Sequence, residues 1–376
     1  MSSPIPVTMQ PAYKQTAGYL HLAATAFLLL SSATKVSSRS EKSNSGPNRT
    51  STECENLMLA GRGRWVPRND SMHEHRLPVY GTCANFRACN KESGRWVWLP
   101  PSGCVQKAAQ MDLDMLKSIL TRHCISYVGD SLMRQQYESM MCLLGTRGDM
   151  KHLATRIRYI QENYLVRSER GVTDKVYGKT RILHWERVYV QQPEIPSFGA
   201  CKVGTPVVLL GVGQHFLHPG NEYYLNSGVQ IDSEIKAYEA AMASVRGALL
   251  ASTAADSLFF YRTFSPDHFY GGWYYSNGRC SDIQAPYEKP ARPEYSRGTY
   301  LENHTVDFHD IALRVFNGTR VHALDVTPLS EARGDMHNKI WEKAKQREDC
   351  VHWCLGAVPS PPDYWNWLFV LWLVRL

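Results

Sequence analysis

Apolar residues recur along this chain in two spacings, helical and extended. Between Gln110 and Leu120, Met111, Leu113, Met115, Leu116 and Ile119 supply the apolar faces of a predicted helix. A short apolar run at 124–128 predicts a strand. It is followed by a helix from Ser131 to about Leu144, striped by Met133, Tyr137, Met140 and Leu144. PVVLLG (206–211) is apolar throughout, as expected of a strand covered on both faces of a parallel sheet. Residues 232–250 predict an amphipathic helix with Ile235, Tyr238, Met242, Val245 and Leu249 on one face and Asp232 or Ser233 as its cap. SLFFYRTF (257–264) and VHALDV (321–326) read as strands, and Thr305 to Val315 as a helix. The C-terminal YWNWLFVLWLVRL is too short to span a bilayer and predicts a terminal helix buried against the sheet. Strands alternating with helices indicate an α/β domain with a mostly parallel sheet.

The first part of the chain has a different texture. AGYLHLAATAFLLLSSA (17–33) is an apolar segment at the short edge for a membrane span, so residues 1–33 read as a signal-anchor or a cleaved signal peptide. Residues 34–50 are polar and Ser-rich, a flexible stem. Residues 51–110 hold four cysteines with Trp, Gly and Pro and little helical pattern; this stretch is too small for its own core and is expected to pack on the domain at 111–376 through disulfides.

Composition changes this picture only where it bears on compartment. Lys35, Arg39 and Lys42 after the apolar segment argue by the positive-inside rule against a lumenal body. Ten cysteines and the acceptor sequons at Asn48, Asn69, Asn303 and Asn317 argue for an oxidising secretory lumen, and they outweigh the charge bias. The net charge of +7 is modest for 376 residues. Basic residues crowd Arg156 to Arg187 as a solvated face; no nucleic-acid motif accompanies them, so no nucleic-acid partner is inferred. Cys350 and Cys354 would crowd His352 in any zinc set, so disulfides are the better reading and no metal is expected.

Candidate chemistry starts at Gly129-Asp130-Ser131, where the first strand gives way to a helix. Ligands of α/β sheets gather at the carboxyl ends of strands, and a helix N-terminus there offers N–H groups to a developing oxyanion. Ser131 is therefore either a helix cap or a nucleophile. A nucleophile needs a base and an orienting acid. EDCVHWC (348–354) supplies Asp349 and His352 three residues apart, so one tight turn can join carboxylate and imidazole between two cysteine anchors.

The blocks CISYVGDSLMRQQYESMMC, YRTFSPDHFYGGW, LSEARGDMHNKIW and DCVHWC resemble the plant trichome-birefringence-like family, which is similar to PC-esterase and SGNH/GDSL hydrolases. The lead fits too, with Cys54, Gly63-Arg64-Trp65-Val66, Trp96-Val97-Trp98 and Cys104. The resemblance implies an SGNH-hydrolase-like three-layer α/β domain with a mostly parallel sheet, plus a disulfide-linked Cys-rich N-terminal segment. It implies Ser131 as nucleophile with His352 and Asp349, and an O-acetyltransferase acting on a cell-wall polysaccharide in the Golgi. The expected topology is single-pass type II with a lumenal catalytic domain; a secreted form is the alternative. The partners implied are an acetyl donor, a polysaccharide acceptor and the membrane, with no bound cofactor. It also implies the pairs Cys54–Cys104, Cys83–Cys142, Cys89–Cys354 and Cys280–Cys350, leaving Cys124 and Cys201 as free buried thiols. The chain departs from the family after its last cysteine, with CLGAVPSPPDYWN in place of C-L-P-G-V-P-D-T-W-N.

Further residues carry two readings each. Gly213 is a second oxyanion N–H, as in SGNH enzymes, or a plain strand-to-loop glycine. Arg262 and His268 stand at a strand end where substrate or donor could sit; a structural salt bridge also suits Arg262. Arg134, one turn after Ser131, lies over the pocket or is solvated. Asp335 and His337 form a second acid/histidine pair with a structural or substrate-facing role. Trp273, Tyr274 and Tyr275 stack on sugars or belong to the core. The same machinery with water as acceptor would be an esterase, and a non-catalytic polysaccharide-binding protein of this fold would have no need of the full set.

Overall fold

The computed structural model describes residues 50–59, 62–67, 95–99, 101, 104, 113–145, 150–171, 175–177, 180–182, 185–196, 201, 204–252, 256–270, 278–281, 283–286, 300–337, 348–355 and 360–376, all within one compact unit. The elements run α1 (Ser51–Leu59), β1 (Arg64–Pro67), β2 (Trp96–Leu99), α2 (Leu113–Arg122), β3 (His123–Gly129) and α3 (Ser131–Gly145). Then come β4 (Ile157–Gln161), β5 (Val166–Gly171), β6 (Lys175–Tyr177), β7 (Thr180–Ile182), β8 (Trp185–Pro193) and β9 (Thr205–Gly211). β10 (Glu222–Tyr224), β11 (Gln230–Ile231), α4 (Glu234–Ala251), β12 (Leu258–Arg262), α5 (Tyr300–Phe316), β13 (Val321–Leu324), α6 (Thr327–Glu331) and α7 (Pro361–Arg375) complete the chain.

The main sheet has the order β13-β12-β9-β3-β4, and every neighbouring pair is parallel. Its side chains alternate between two cores, as the two-residue strand period requires. Ile125, Tyr127, Val207, Leu209, Phe260 and Leu324 enter one core with α2, α3 and α7. Val128, Val208, Leu210, Phe259, Tyr261 and Val321 enter the other with α4 and α5. Helix, sheet and helix thus form three layers, which is why these strands read as continuous apolar runs. Ser233 caps α4, accepting a hydrogen bond from Lys236 N–H. The terminal helix α7 is closed by a Ser360/Asp363 capping box and buries Trp365, Leu368 and Phe369 against the sheet, as its apolar sequence predicts.

One region was not legible. The basic stretch after 156 does not form a plain solvated face: it contains β4 on the edge of the main sheet, and β5 and β8 of a second sheet ordered β11-β10-β8-β5. In β8, Val188 and Val190 are buried while Arg187 is exposed, a period of two that the surrounding charges hid.

Cys54–Cys104 and Cys280–Cys350 are disulfides. Cys124 and Cys201 are not free thiols but a third bridge, with Cα atoms 5.7 Å apart. The reason is tertiary: β3 and β9 pair with Cys124 opposite Pro206, which brings the segment before β9 alongside the start of β3. Cys142 and Cys354 are also disulfide-bonded, while Cys83 and Cys89 lie outside the described residues. So do residues 1–49 with the apolar segment and Asn48, and Asn69 and Trp273 to Tyr275. Asn303 falls within α5, and Asn317 is exposed just beyond its end. No helix among the described residues is long and apolar enough to cross a membrane.

Replacing both Cys124 and Cys201 by Ser should lower unfolding stability by roughly 2–5 kcal/mol, since the bridge closes a long loop. Denaturant titration of the oxidised protein measures this, and an unchanged midpoint would refute the bridge.

Candidate active site

The turn from β3 into α3 explains its own sequence. A Cβ on Gly129 would lie 2.0 Å from the Gly211 carbonyl oxygen, so the close approach of β3 and β9 at their carboxyl ends demands glycine. Asp130, buried at 1%, is the helix cap: its Oδ1 accepts from Leu132 N–H at 3.0 Å and Met133 N–H at 3.4 Å. The Tyr159 hydroxyl donates to the carbonyls of Gly129 (3.0 Å) and Asp130 (3.2 Å), holding the turn from the β4 side. The capping task therefore falls to Asp130, and Ser131 is left with its hydroxyl at the strand end.

That hydroxyl meets the C-terminal loop. His352 Nε2 lies 2.7 Å from Ser131 Oγ. His352 Nδ1 lies 2.9 Å from Asp349 Oδ2 and 3.1 Å from Oδ1. Asp349 Oδ1 also accepts the backbone N–H groups of His352 (2.9 Å) and Val351 (3.2 Å), so the three-residue spacing closes into the expected tight turn. With Asp349 only 2% exposed, its carboxylate selects the tautomer with the proton on Nδ1, and Nε2 is left to accept the Ser131 proton. Such an arrangement can raise a serine to a nucleophile without further groups.

The loop is fixed on every side. Cys350 is bonded to Cys280, and its carbonyl accepts His268 N–H at 3.0 Å. Gln135 of α3 grips Trp353 at two points: Nε2 donates to the Trp353 carbonyl at 2.6 Å, and Oε1 accepts Trp353 N–H at 2.9 Å. Four residues after Ser131, Gln135 occupies the same face of α3, so one helix carries both the serine and the clamp on the residue after His352. That spacing was visible in the sequence and went unread. Cys354 N–H donates to Met336 O at 2.9 Å, and Trp353 Nε1–H to Ser265 Oγ at 3.1 Å.

The other candidates are placed as follows. Gly213 is buried at the start of a short 3-10 turn, where a Cβ would strike the Phe264 ring at 2.5 Å. Its N–H meets no acceptor among the described residues, and the turn stands beside the Gly129–Gly211 crossing. Arg134 is exposed and ion-pairs with Glu138 at 2.8 Å. Arg262 is not a surface contact for substrate. It is 2% exposed, 3.9 Å from Asp130 Oδ1 and stacked over Trp365 at 4.7 Å, because β12 ends inside the helical layers. His268 is likewise buried: its Nδ1 lies 2.6 Å from His337 Nε2 and its Nε2 2.8 Å from the Glu331 carbonyl. Burial pushes its pKa down to about 4, so the ring is neutral at neutral pH. His337 Nδ1 in turn lies 3.2 Å from the His352 carbonyl, and Asp335 is held in a buried bidentate pair with Arg333. The second Asp/His pair thus supports the loop from below.

Cys280, Cys350 and Glu348 cluster as a metal set would, but the two sulfurs are bonded to each other. The Glu348 carboxylate instead accepts the N–H groups of Cys280 (2.7 Å) and Ser281 (2.6 Å). Of the stretch that departs from the family pattern, residues 356–359 lie outside the described residues, while Ser360 to Asn366 cap and open α7.

Gln135→Ala strands a buried N–H and C=O of Trp353, which should cost about 1–3 kcal/mol of stability and loosen the Ser131–His352 contact. Acylation of Ser131 by an active-ester probe should slow at least about tenfold. Gln135→Glu, which keeps an acceptor but lacks the donor, should fall between. Equal acylation rates for all three proteins would remove Gln135 from the machinery.

The PC-esterase family model, a GDSL/SGNH-like acyl-esterase family found in Pmr5 and Cas1p, matches residues 112–371. The chain is 26% identical to xyloglucan O-acetyltransferase 1 of Arabidopsis thaliana over 384 aligned residues, covering 91% of this chain and 86% of that one. It is 26% identical to protein trichome birefringence-like 20 of the same plant, over 81% of this chain and 69% of the relative. Xyloglucan O-acetyltransferase 1 of Populus trichocarpa is 26% identical over 81% of this chain and 78% of its own. A serine at the head of α3, a strand-end turn built on Gly129 and Asp130, and a family match across both cores and the C-terminal loop agree: this chain belongs to the PC-esterase family.

Proposed function

We propose that this protein is a polysaccharide O-acetyltransferase working by double displacement through an acetyl-Ser131 intermediate. The observation that carries the reading is the continuous line from Ser131 Oγ to His352 Nε2 (2.7 Å) and from His352 Nδ1 to Asp349 (2.9 Å). His352 takes the Ser131 proton as Oγ attacks the acetyl carbonyl of the donor, and returns it to the leaving group. The N–H groups of Ser131 and Gly213 stabilise the tetrahedral oxyanion, each worth roughly 3–4 kcal/mol. A sugar hydroxyl then gives its proton to His352 and attacks the acetyl-serine; the acetyl–Oγ bond breaks, and the proton returns to Oγ. The relatives named xyloglucan O-acetyltransferases support a wall-glycan acceptor. Water in place of the sugar would make the same site an esterase, and a partly exposed His352 leaves that route open.

The segment Ala17 to Ala33 serves in this reading as a single-pass type II anchor in the Golgi membrane, with the domain in the lumen. The disulfides and sequons support it, since both belong to the secretory lumen. Protease added to sealed vesicles should leave the domain intact; digestion without detergent would reverse the orientation.

Incubation with an activated acetyl ester, with and without xyloglucan oligosaccharide, tests the chemistry. The wild type should gain an acetyl adduct by intact mass and pass it to the glycan. Ser131→Ala should lose the adduct, and turnover should drop by at least about a thousandfold. An adduct that persists in the variant would dismiss Ser131 as the nucleophile, and acetate without acetylated glycan would leave an esterase.

A further inference from the structure

A second imidazole stands beside this site. β9 ends at Gly211, opposite Gly129, and the 3-10 turn Gln214–Leu217 begins three residues later. Glu162 N–H donates to the Gly129 carbonyl at 2.9 Å, so the segment after β4 closes on the same strand end. Between the two segments sits His215. Its backbone is tied down: its carbonyl accepts Asn221 Nδ2–H at 2.8 Å and the Tyr164 hydroxyl at 3.3 Å. Asn221 Nδ2 also lies 2.8 Å from the Tyr164 hydroxyl oxygen, and Asn221 Oδ1 accepts Glu186 N–H at 3.0 Å. The Tyr164 ring meets the His215 ring edge-on at 5.9 Å.

The backbone carbonyl is thus engaged while the ring is not. Neither ring nitrogen of His215 bonds a protein group among the described residues, and neither is sealed from solvent. Burial keeps the imidazole neutral, against the opposing pull of the Asp130 and Glu186 carboxylates; His352 is also close enough to act on it. The ring therefore keeps one donor and one acceptor available at the strand end that carries Ser131, within electrostatic reach of His352. Behind it the Glu186 carboxylate has a buried oxygen, Oε2, with no partner, and no lysine or arginine pairs with it among the described residues. The adjacent Arg187 side chain pairs with Glu222 instead.

We propose that His215, braced by Tyr164 and Asn221 with the Glu186 carboxylate behind it, is the acceptor-side recognition residue, binding a hydroxyl of a neutral glycan next to the one being acetylated. The inference rests on the acetyl-transfer reading above. The chemistry selects a polyhydroxylated, uncharged ligand. The Glu186 carboxylate, which no lysine or arginine pairs among the described residues, would repel an anionic group, whereas a sugar hydroxyl can both donate to and accept from a neutral imidazole.

The test separates binding from acylation. With Ser131→Ala protein, binding of xyloglucan oligosaccharide is measured by calorimetry with His215 intact and as His215→Ala. With Ser131 present, the oligosaccharide KM and the rate of acetyl-adduct formation are measured on the same substitution. His215→Ala should weaken binding and raise KM about fivefold to tenfold, with a much smaller effect on adduct formation. His215→Gln, which keeps a donor and an acceptor, should recover part of the binding, and this guards against a folding defect. Unchanged oligosaccharide affinity, or a loss of adduct formation as large as the loss of transfer, would overturn the proposal. A Ser131-independent adduct would instead bring down the acetyl-transfer reading beneath it, which is a distinguishable result.

Discussion

One contact sets the terms for the rest of the molecule: a 2.7 Å hydrogen bond between side chains 221 residues apart, Ser131 and His352. A bond of that length tolerates displacements of only a few tenths of an ångström. Each partner must therefore be rigid on its own and fixed relative to the other. Ser131 meets the first condition because it heads a helix anchored by Asp130 at the end of β3, an interior strand of the main sheet. His352 cannot meet it through a helix or strand, since its loop has only the isolated bridge of Trp353 to His337; it relies on cross-links instead.

Those cross-links differ in kind. The Cys280–Cys350 bridge limits the loop covalently, and Asp349 folds it onto itself through the N–H groups of Val351 and His352. Neither of these fixes the distance to α3. The Gln135 clamp on Trp353 does, and it does so from within the helix that carries the serine. The buried His268–His337 contact adds a polar strut beneath the His352 carbonyl, where an apolar side chain would leave backbone acceptors unsatisfied.

Much of the domain could be read from the chain before its shape was known. β3, β9 and β12 announce themselves because a strand buried on both faces has to be apolar at every position. α4 and α7 announce themselves through their apolar faces. The second sheet did not. β5 and β8 keep one face in contact with water, and their arginines masked an alternation as short as Val188 and Val190. The Cys124–Cys201 bridge escaped for another reason: resemblance matched the other eight cysteines into pairs and left these two over, whereas the register of β3 against β9 makes them neighbours.

The candidate site divides along the same line. Gly129, Asp130 and Ser131 are a local motif, and Asp349 with His352 is another; each is written in consecutive residues because each is a single turn of backbone. Sequence alone settled the residue types and the short-range spacing, which depend only on covalent connectivity. It could not settle that Arg262 and His268 are sealed in the interior, that Gln135 clasps the histidine loop, or that the turn carrying His215 leaves β9 beside the strand end of Gly129. Those facts depend on which strand ends lie side by side, and that is decided by how the sheet is ordered and what its two faces bury.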